Sequence, residues 1–340
     1  MKIAHQVIAL RTKHPFVIAR GGSSEYRVVR VTITDRDGAT GWGEAAPSAF
    51  YGETADTVIS VLPVLARVLE GADAWSLEAV EHALARAIRF NGSARSAVSA
   101  ALHDLAAKRL GVPLYRMWGL DPSASPPSSF TVAIAPDEAT LRARVLEAAS
   151  YPVLKIKLGT SWDERIVRIV RELAPEKVLR VDANAAWTPK GALAIIPLLK
   201  ELGVEFVEQP LPAHDLEGMR FVRERSALPI VADESCLVAT DIPALAGGVD
   251  GINIKLAKCG GLREALRMVA TARAHGMLVM CGCMVESSLG ITAAAQLAPL
   301  LDCADLDGAA LVSNDPYVGA TIERGVIALP DGPGLGVTPR

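Results

Sequence analysis

From Phe130 onward the chain repeats one texture: a short apolar run, an amphipathic stretch, then another apolar run. The runs Phe130–Ile134, Val153–Lys157, Val178–Asp182, Glu205–Glu208, Ile230–Asp233, Gly251–Lys255, Leu278–Cys281 and Ala304–Asp307 have strand length and composition. Between the second and third, Ile166, Ile169, Val170 and Leu173 fall at i, i+3, i+4 and i+7, one face of a helix. Eight such units predict an α/β fold, a closed parallel (β/α)8-type barrel. A doubly wound open sheet is the alternative, but it usually carries a Gly-rich first turn and none is present.

The region before Phe130 has a different rhythm. Lys2 to Arg11, Tyr26 to Asp35 and Thr40 to Ala46 read as strands of a meander, with Asp37-Gly38 as a hairpin turn. The segment Pro15 to Ser24 ends Gly- and Ser-rich and reads as a mobile loop. Helical patterns follow over Thr54 to Leu69, Ser76 to Ala87 and Ser93 to Arg109, the last ended by Gly111 and Pro113. Residues 121–129, rich in Pro and Ser, read as a linker. The expected organisation is an α+β capping domain of residues 1–125 joined by the returning tail 316–340, over a barrel of 126–315.

Size and charge agree with this division. The 340 residues suit one barrel of about 250 residues plus a cap of about 90. A net charge of -3, with the basic residues scattered, argues against nucleic acid and against an anionic membrane surface. No apolar run approaches the ~20 residues of a membrane span, and the start lacks a sustained apolar region. Five cysteines without a regular framework point to a reducing compartment, so the expectation is a soluble cytoplasmic protein. Cys281 and Cys283 form a C-x-C that reads better as a buried strand than as a metal site.

The chemistry lies where the strands end. Each barrel strand is apolar until its C-terminal end, and there stand Lys157, Asp182, Glu208, Asp233, Lys255, Cys281 and Asp305, spaced by 25, 26, 25, 22, 26 and 24 residues. A period near 25 is one strand–helix unit, so these side chains are expected at one height, on the face where barrel active sites form. A single charge at a strand end is often merely solvated or caps a helix. Six titratable groups in phase are not explained that way, because burying each costs several kcal/mol unless it pairs or binds metal.

Asp182, Glu208 and Asp233 end adjacent strands about 4.8 Å apart and can converge on one cation. An all-oxygen set without histidine favours Mg2+, with Mn2+ the alternative, over zinc. Asn184 and Glu234 follow closely and read either as support for these ligands or as helix caps. Lys157 and Lys255 end strands two and six of eight, on opposite sides of the ring. A substrate held between them shows one face to each. One lysine can remove a proton from a carbon next to a carboxylate and the other return it from the opposite side, inverting that carbon. Metal coordination of the carboxylate would stabilise the enediolate dianion. The base must be neutral, and cationic neighbours lower a lysine from about 10.4. Lys155, two residues before Lys157, shares its face and can depress it or bind a substrate carboxylate oxygen.

These stretches (Lys155-Ile156-Lys157, Val181-Asp182-Ala183-Asn184, Glu208-Gln209-Pro210, Ala232-Asp233-Glu234-Ser235 and Ile254-Lys255) resemble the enolase superfamily, muconate-lactonising subgroup, over nearly the whole chain. The resemblance implies Lys157 and Lys255 as acid/base groups and Asp182, Glu208 and Asp233 as Mg2+ ligands; enolase-superfamily sites pair a Lys base with Mg2+ that stabilises the enediolate. Within the subgroup the chain is most similar to the dipeptide epimerases. Thr131, Cys283 and Met284 sit where that family contacts substrate, Ala304-Asp305-Leu306-Asp307-Gly308 resembles its Asp-x-Asp signature, and the stretch from His14 to Gly21 resembles its cap loop. The implied activity is epimerisation of L-Ala-D-Glu and L-Ala-L-Glu, as in murein peptide recycling. Asp305 and Asp307 share a strand face and fit the substrate ammonium, while Arg20 is placed to grip an acidic side chain. Barrels of this kind often associate, so a homo-oligomer is compatible.

Three other readings compete. The same lysines and metal can serve an N-acylamino acid racemase, an o-succinylbenzoate synthase or a cycloisomerase, whose substrates lack an ammonium for the Asp pair. A barrel kept as a binding protein would not need all five core residues. A Schiff-base aldolase on Lys255 would need no metal.

Overall fold

The computed structural model describes residues 1–340. Its first part is a three-stranded antiparallel sheet in the order β1 (Lys2–Ile18), β2 (Gly21–Thr34), β3 (Thr40–Ala45). Strands β1 and β2 run further than the sequence pattern suggests. The segment expected as a loop continues the ladder, pairing Phe16 with Ser23, Val17 with Gly22 and Ile18 with Gly21 after an irregularity between Arg11 and Phe16. Glycine and serine carry little strand propensity of their own, so cross-strand pairing and docking of the tip override composition here.

Three helices cover the sheet: α1 (Ala55–Leu69), α2 (Leu77–Ala87) and α3 (Gly92–Leu110). Helix α1 opens with a capping box between Thr54 and Thr57. Helix α3 lies close on β3 because Gly41 and Gly43 have no side chain. A Cβ on either would stand 2.0 Å from Ala101 O or 2.1 Å from Ala97 O. The cap core joins Val29, Val31 and Ile33 of the sheet to Leu62, Leu65, Leu102 and Leu105 of the helices.

The second part is an eight-stranded parallel sheet in simple chain order: β4 (Phe130–Val132), β5 (Val153–Lys157), β6 (Val178–Asp182), β7 (Val204–Glu208), β8 (Ile230–Ala232), β9 (Gly251–Ile254), β10 (Leu278–Gly282) and β11 (Cys303–Asp305). Helices follow the strands as the 3.6-residue periodicity requires. The sheet curls until β11 meets β4, but no regular ladder joins these two. A single bridge between Ser128 and Ala304 spans the seam, and Ser129 N donates to Ala304 O at 3.0 Å. Side chains complete the closure: Leu306 N donates to Ser128 Oγ at 2.9 Å, and Thr131 N to Asp307 Oδ2 at 2.6 Å.

The barrel strands are staggered, so the strand ends are not all level. Lys157 pairs with Asp182 and Asp182 with Glu208, but Glu208 faces Val231, which places Asp233 one pleat higher. Closing a parallel sheet imposes this shear.

Cap and barrel meet at the start of the helix Ser288–Ala295. Glu44, from the end of β3, accepts from Ser287 N at 2.9 Å and from Ser287 Oγ, and Asp315 accepts from Ser288 N and Oγ. Carboxylates suit the unpaired N–H groups at a helix N-terminus. The tail bonds to α3 through Leu335 N to Asp104 Oδ1, while Tyr317, Ala320 and Ile327 pack into the barrel's apolar cluster. No helix is long and apolar enough to cross a membrane.

Candidate active site

Strand alternation sends Lys155 and Lys157 to the same side of β5, into the barrel. Both are buried, as are Asp182, Glu208 and Asp233, which bring three carboxylate oxygens within 4.8 Å of one another. Each carboxylate has its own set of donors. Asp182 accepts from Lys157 Nζ at 2.6 Å and from Asn184 N at 2.8 Å. Glu208 accepts from Asn253 Nδ2 at 2.7 Å and lies 2.7 Å from Lys155 Nζ. Asp233 accepts from Lys255 Nζ at 2.7 Å and Lys258 Nζ at 2.5 Å. Lys157 and Lys255 therefore flank the two ends of the triad. Their strands, β5 and the end of β9, are separated by three strands on either route around the ring.

The electrostatics of the triad are those of a cation site. Burial and the neighbouring Asp182 push Glu208 up to about 7. Against the cost of burial, Lys157 and Lys155 hold Asp182 below its ordinary value, and Lys255 and Lys258 hold Asp233 lower still. Glu208 Oε2 has only the Lys155 ammonium beside it, and the nearby acceptors Asn184 Oδ1, Glu234 Oε2 and Asn253 Oδ1 are buried without a hydrogen-bond donor. Three hard oxygens crowded together with orphaned acceptors around them fit Mg2+. Lys155 and Lys255 are not depressed as the sequence reading expects of lysines near a base. Burial pulls Lys155 and Lys255 down, but the surrounding carboxylates outweigh it and hold both well above the ordinary lysine value. These are the oxygens a divalent cation would claim.

Across the seam, Asp305 accepts from Ser129 Oγ at 2.6 Å and Lys155 Nζ at 2.8 Å, while Asp307 is held by Thr131 N. Burial and the adjacent Asp305 push Asp307 up to about 7. This is a like-charge pair that a positive group would relieve. Cys283 Sγ lies 3.3 Å from Asp305 O, and no metal cluster involves it.

A cavity of about 590 Å3 opens above these groups, and Arg20, Thr131, Lys155, Lys157, Asn184, Lys255, Cys283, Met284, Asp305 and Asp307 all line it. Its roof is the β1–β2 tip, where Arg20 is already engaged. Nη2 pairs with Glu234 Oε1 at 2.8 Å, Nη1 donates to Asn184 O at 2.6 Å, and the guanidinium lies 4.0 Å from the Phe50 ring centroid. Ala19 beside it nests against Gly159, where a Cβ would stand 2.6 Å from the Ala19 Cβ.

Strand phase did not point to Lys258, Asn253 or Gln209. Lys258 Nζ lies within 3.1 Å of four acceptors, Asp233 O, Asp233 Oδ1, Asn253 O and Cys236 O. Gln209 Oε1 accepts from Asp233 N at 2.9 Å and Ser235 N at 3.1 Å, tying the end of β8 to the end of β7. The backbone around these strand ends is left-handed at Asn184 (φ 45°), Ala185 (φ 65°) and Gln209 (φ 35°). Non-glycine residues rarely adopt that conformation, and it clusters at functional sites.

A parallel barrel capped by an antiparallel sheet, with an acidic triad between two lysines at the strand ends, defines the enolase superfamily, and the chain belongs to it. Residues 138–340 match the enolase C-terminal domain-like family, and residues 2–119 the N-terminal domain of the mandelate racemase / muconate lactonizing enzyme family. Within that family, the L-Ala-D/L-amino acid epimerase of Maribacter sp. is 40% identical over 339 residues, covering 99% of both chains. The substrate-liganded L-Ala-D/L-Glu epimerase of Bacillus subtilis superposes with a TM-score of 0.94 at 33% identity, over 99% of each chain. The dipeptide epimerase of Enterococcus faecalis, complexed with Mg and L-Leu-L-Tyr, gives 0.94 at 32% identity, again over 99% of each.

Proposed function

We propose that this protein is an isomerase, a Mg2+-dependent dipeptide epimerase that inverts the α-carbon of the C-terminal residue, with L-Ala-D-Glu and L-Ala-L-Glu as the leading substrates. The observation that carries the proposal is the placement of Lys157 and Lys255 at opposite ends of one acidic triad. Asp182, Glu208 and Asp233 would hold the cation, which supplies Lewis-acid stabilisation of the negative charge that develops on the substrate carboxylate. Lys155 would donate to a carboxylate oxygen. Lys157 takes the α-proton on one face and Lys255 delivers one on the other, or the reverse for the other configuration. Asp305 and Asp307 would receive the substrate ammonium, the group that separates a dipeptide from the substrates of the acylamino acid racemases and cycloisomerases of the same family. Asn184 and Glu234 back the ligands, while Thr131, Cys283 and Met284 wall the substrate. Arg20 would meet an acidic side chain only while sharing its charge with Glu234. The chain would divide into a cap, residues 1–125 with 316–340, and a barrel, residues 126–315, with the tip of the first over the chemistry of the second. Five free cysteines support a cytoplasmic setting.

The test is isotope exchange. With Mg2+ in deuterated water, L-Ala-L-Glu and L-Ala-D-Glu should each gain deuterium at the glutamyl α-carbon. Lys157→Ala should abolish exchange from one configuration and Lys255→Ala from the other. Interconversion of both by either variant would overturn the assignment of the bases.

A further inference from the structure

Where the chain leaves β5 it turns sharply, and the N–H groups of Gly159 and Thr160 converge on one spot. Gly159 has φ 105°, a conformation that glycine adopts freely. Converging backbone N–H groups make a concave nest for an anion. Asp163 fills this one. Its buried carboxylate accepts from Gly159 N at 2.9 Å, from Thr160 N at 2.7 Å and from Thr160 Oγ1 at 2.8 Å. It also accepts from Trp187 Nε1 at 2.9 Å, on the loop that follows β6. An Asp in the first turn of a helix is ordinarily a complement to the helix dipole. This one opens the helix Asp163–Leu173, yet these four donors all lie outside that helix. Asp163 thereby ties together the two loops that follow Lys157 and Asp182.

Those two loops are where the cap tip lands. Ala19 sits against Gly159, and a Cβ added to that glycine would also stand 2.7 Å from the Ala186 Cβ. Arg20 Nη1 reaches the carbonyl of Asn184 on the second loop at 2.6 Å. A third contact, Ile134 N to Val17 O at 3.0 Å, follows β4 and does not involve Asp163. We propose that Asp163 is a positioning residue for the reaction: it builds the barrel seat on which Ala19 and Arg20 dock, and so governs how firmly a bound substrate is enclosed. The enclosure rests on the epimerase reading, whereas the seat itself does not. Asp163 does not line the active-site cavity, so it acts through the backbone it holds. Hydrogen bonds to an ionised carboxylate are the stronger kind, and losing the charge relaxes Gly159, Thr160 and Trp187 together. The reacting groups have separate support. Lys157 pairs with Asp182 in the ladder of β5 and β6, and Leu158 N donates to Asp182 O at 2.9 Å. A loosened seat therefore weakens substrate binding without displacing the base or the cation ligand.

The experiment compares Asp163→Asn, Gly159→Ala and Trp187→Phe with the unaltered full chain, all loaded with Mg2+, and melting curves show which variants fold. Without substrate, the tip amides from Ile18 to Ser23 should exchange with deuterated water at least tenfold faster in Asp163→Asn and Gly159→Ala, while the amides of β5 and β6 keep their protection. Gly159→Ala acts without touching Asp163, because its methyl group would meet Ala19, so the seat stays testable if Asp163→Asn does not fold. Trp187→Phe removes one donor and keeps an aromatic ring, and should move tip exchange in the same direction by a smaller factor. With a dipeptide that the unaltered protein epimerises, Asp163→Asn should raise KM at least tenfold and leave kcat within twofold, because saturating substrate restores docking. Tip exchange unchanged in every folded variant overturns the seat. Faster tip exchange with kcat lowered at constant KM overturns the enclosure role, since the effect then falls on the reacting groups. Failure of the unaltered protein to epimerise any dipeptide overturns the epimerase reading and the enclosure with it, while tip exchange still decides the seat.

Discussion

Lys258 places one buried ammonium within hydrogen-bonding distance of four oxygens, two of them on Asp233. Breaking a buried ion pair from one side leaves the other charge uncompensated, at a cost of about 3–5 kcal/mol. Lys258→Met should lower stability by that order in urea denaturation and weaken Mg2+ binding at least tenfold by calorimetry. A stability change below about 1 kcal/mol would show that Asp233 has other support. The case also marks how far single residues were readable in advance. Lys155, Lys157, Asp182 and Glu208 obey the two-residue alternation of a strand, so position alone oriented them. Lys258 lies in the short helical turn after β9, and Asn253 reaches sideways to Glu208; neither direction follows from strand period. Arg20 was legible as a cation at the right place, but its partner Glu234 lies more than two hundred residues away. A second buried group gives a pH signature. Burial raises Glu44 from 4.5 to about 8, opposed by its Ser287 donors and reinforced by Glu286 and Asp315 nearby. Between those values the folded chain holds a proton that the unfolded chain releases, so this contribution to stability is complete below about 4.5 and fades as pH rises toward 8. One proton gives a slope of at most about 1.4 kcal/mol per pH unit. The stability difference between the unaltered protein and Glu44→Gln should therefore shift by on the order of 2 kcal/mol from pH 5.5 to 7.5. A difference constant with pH would place the Glu44 proton elsewhere.

Among the elements, the helix–sheet contact of the cap has the tightest steric requirement. Gly43 brings β3 against α3 so closely that a methyl group would overlap Ala97 O. Overpacking of this kind costs about 1–3 kcal/mol. Gly43→Ala should reduce the denaturation midpoint accordingly, and a neutral result would show that α3 can lift away freely. The cap's strands and helices were readable from alternation and caps because those signals are local. The β1–β2 extension was not, since its order comes from partners: Ser23 opposite Phe16, and Gly159 beneath Ala19. Composition describes what a segment does alone, and this one is shaped by what it touches.

For the whole molecule, the spacing near 25 residues was enough to specify a barrel and to bring the carboxylates together. It could not give the stagger of the strands, because shear is a property of the closed sheet rather than of any unit. Nor could it show that the cylinder shuts without a complete ladder. A cation bound only by the folded protein must stabilise it, by about 2.7 kcal/mol at a hundred times its dissociation constant. Melting with Mg2+ and then with excess chelator should reveal that gain, whereas coincident curves would argue against a site at the triad. The seam has its own implication. Asp305 and Asp307 fasten β11 to Ser129 and Thr131 while facing the space where a ligand's positive end would rest. Two tasks fall on one pair of residues, so mutational drift there is constrained from both sides. New preferences should arise at neighbours free of that double duty, such as Met284, which lines the same cavity, where a lineage can change diet without loosening its hoop.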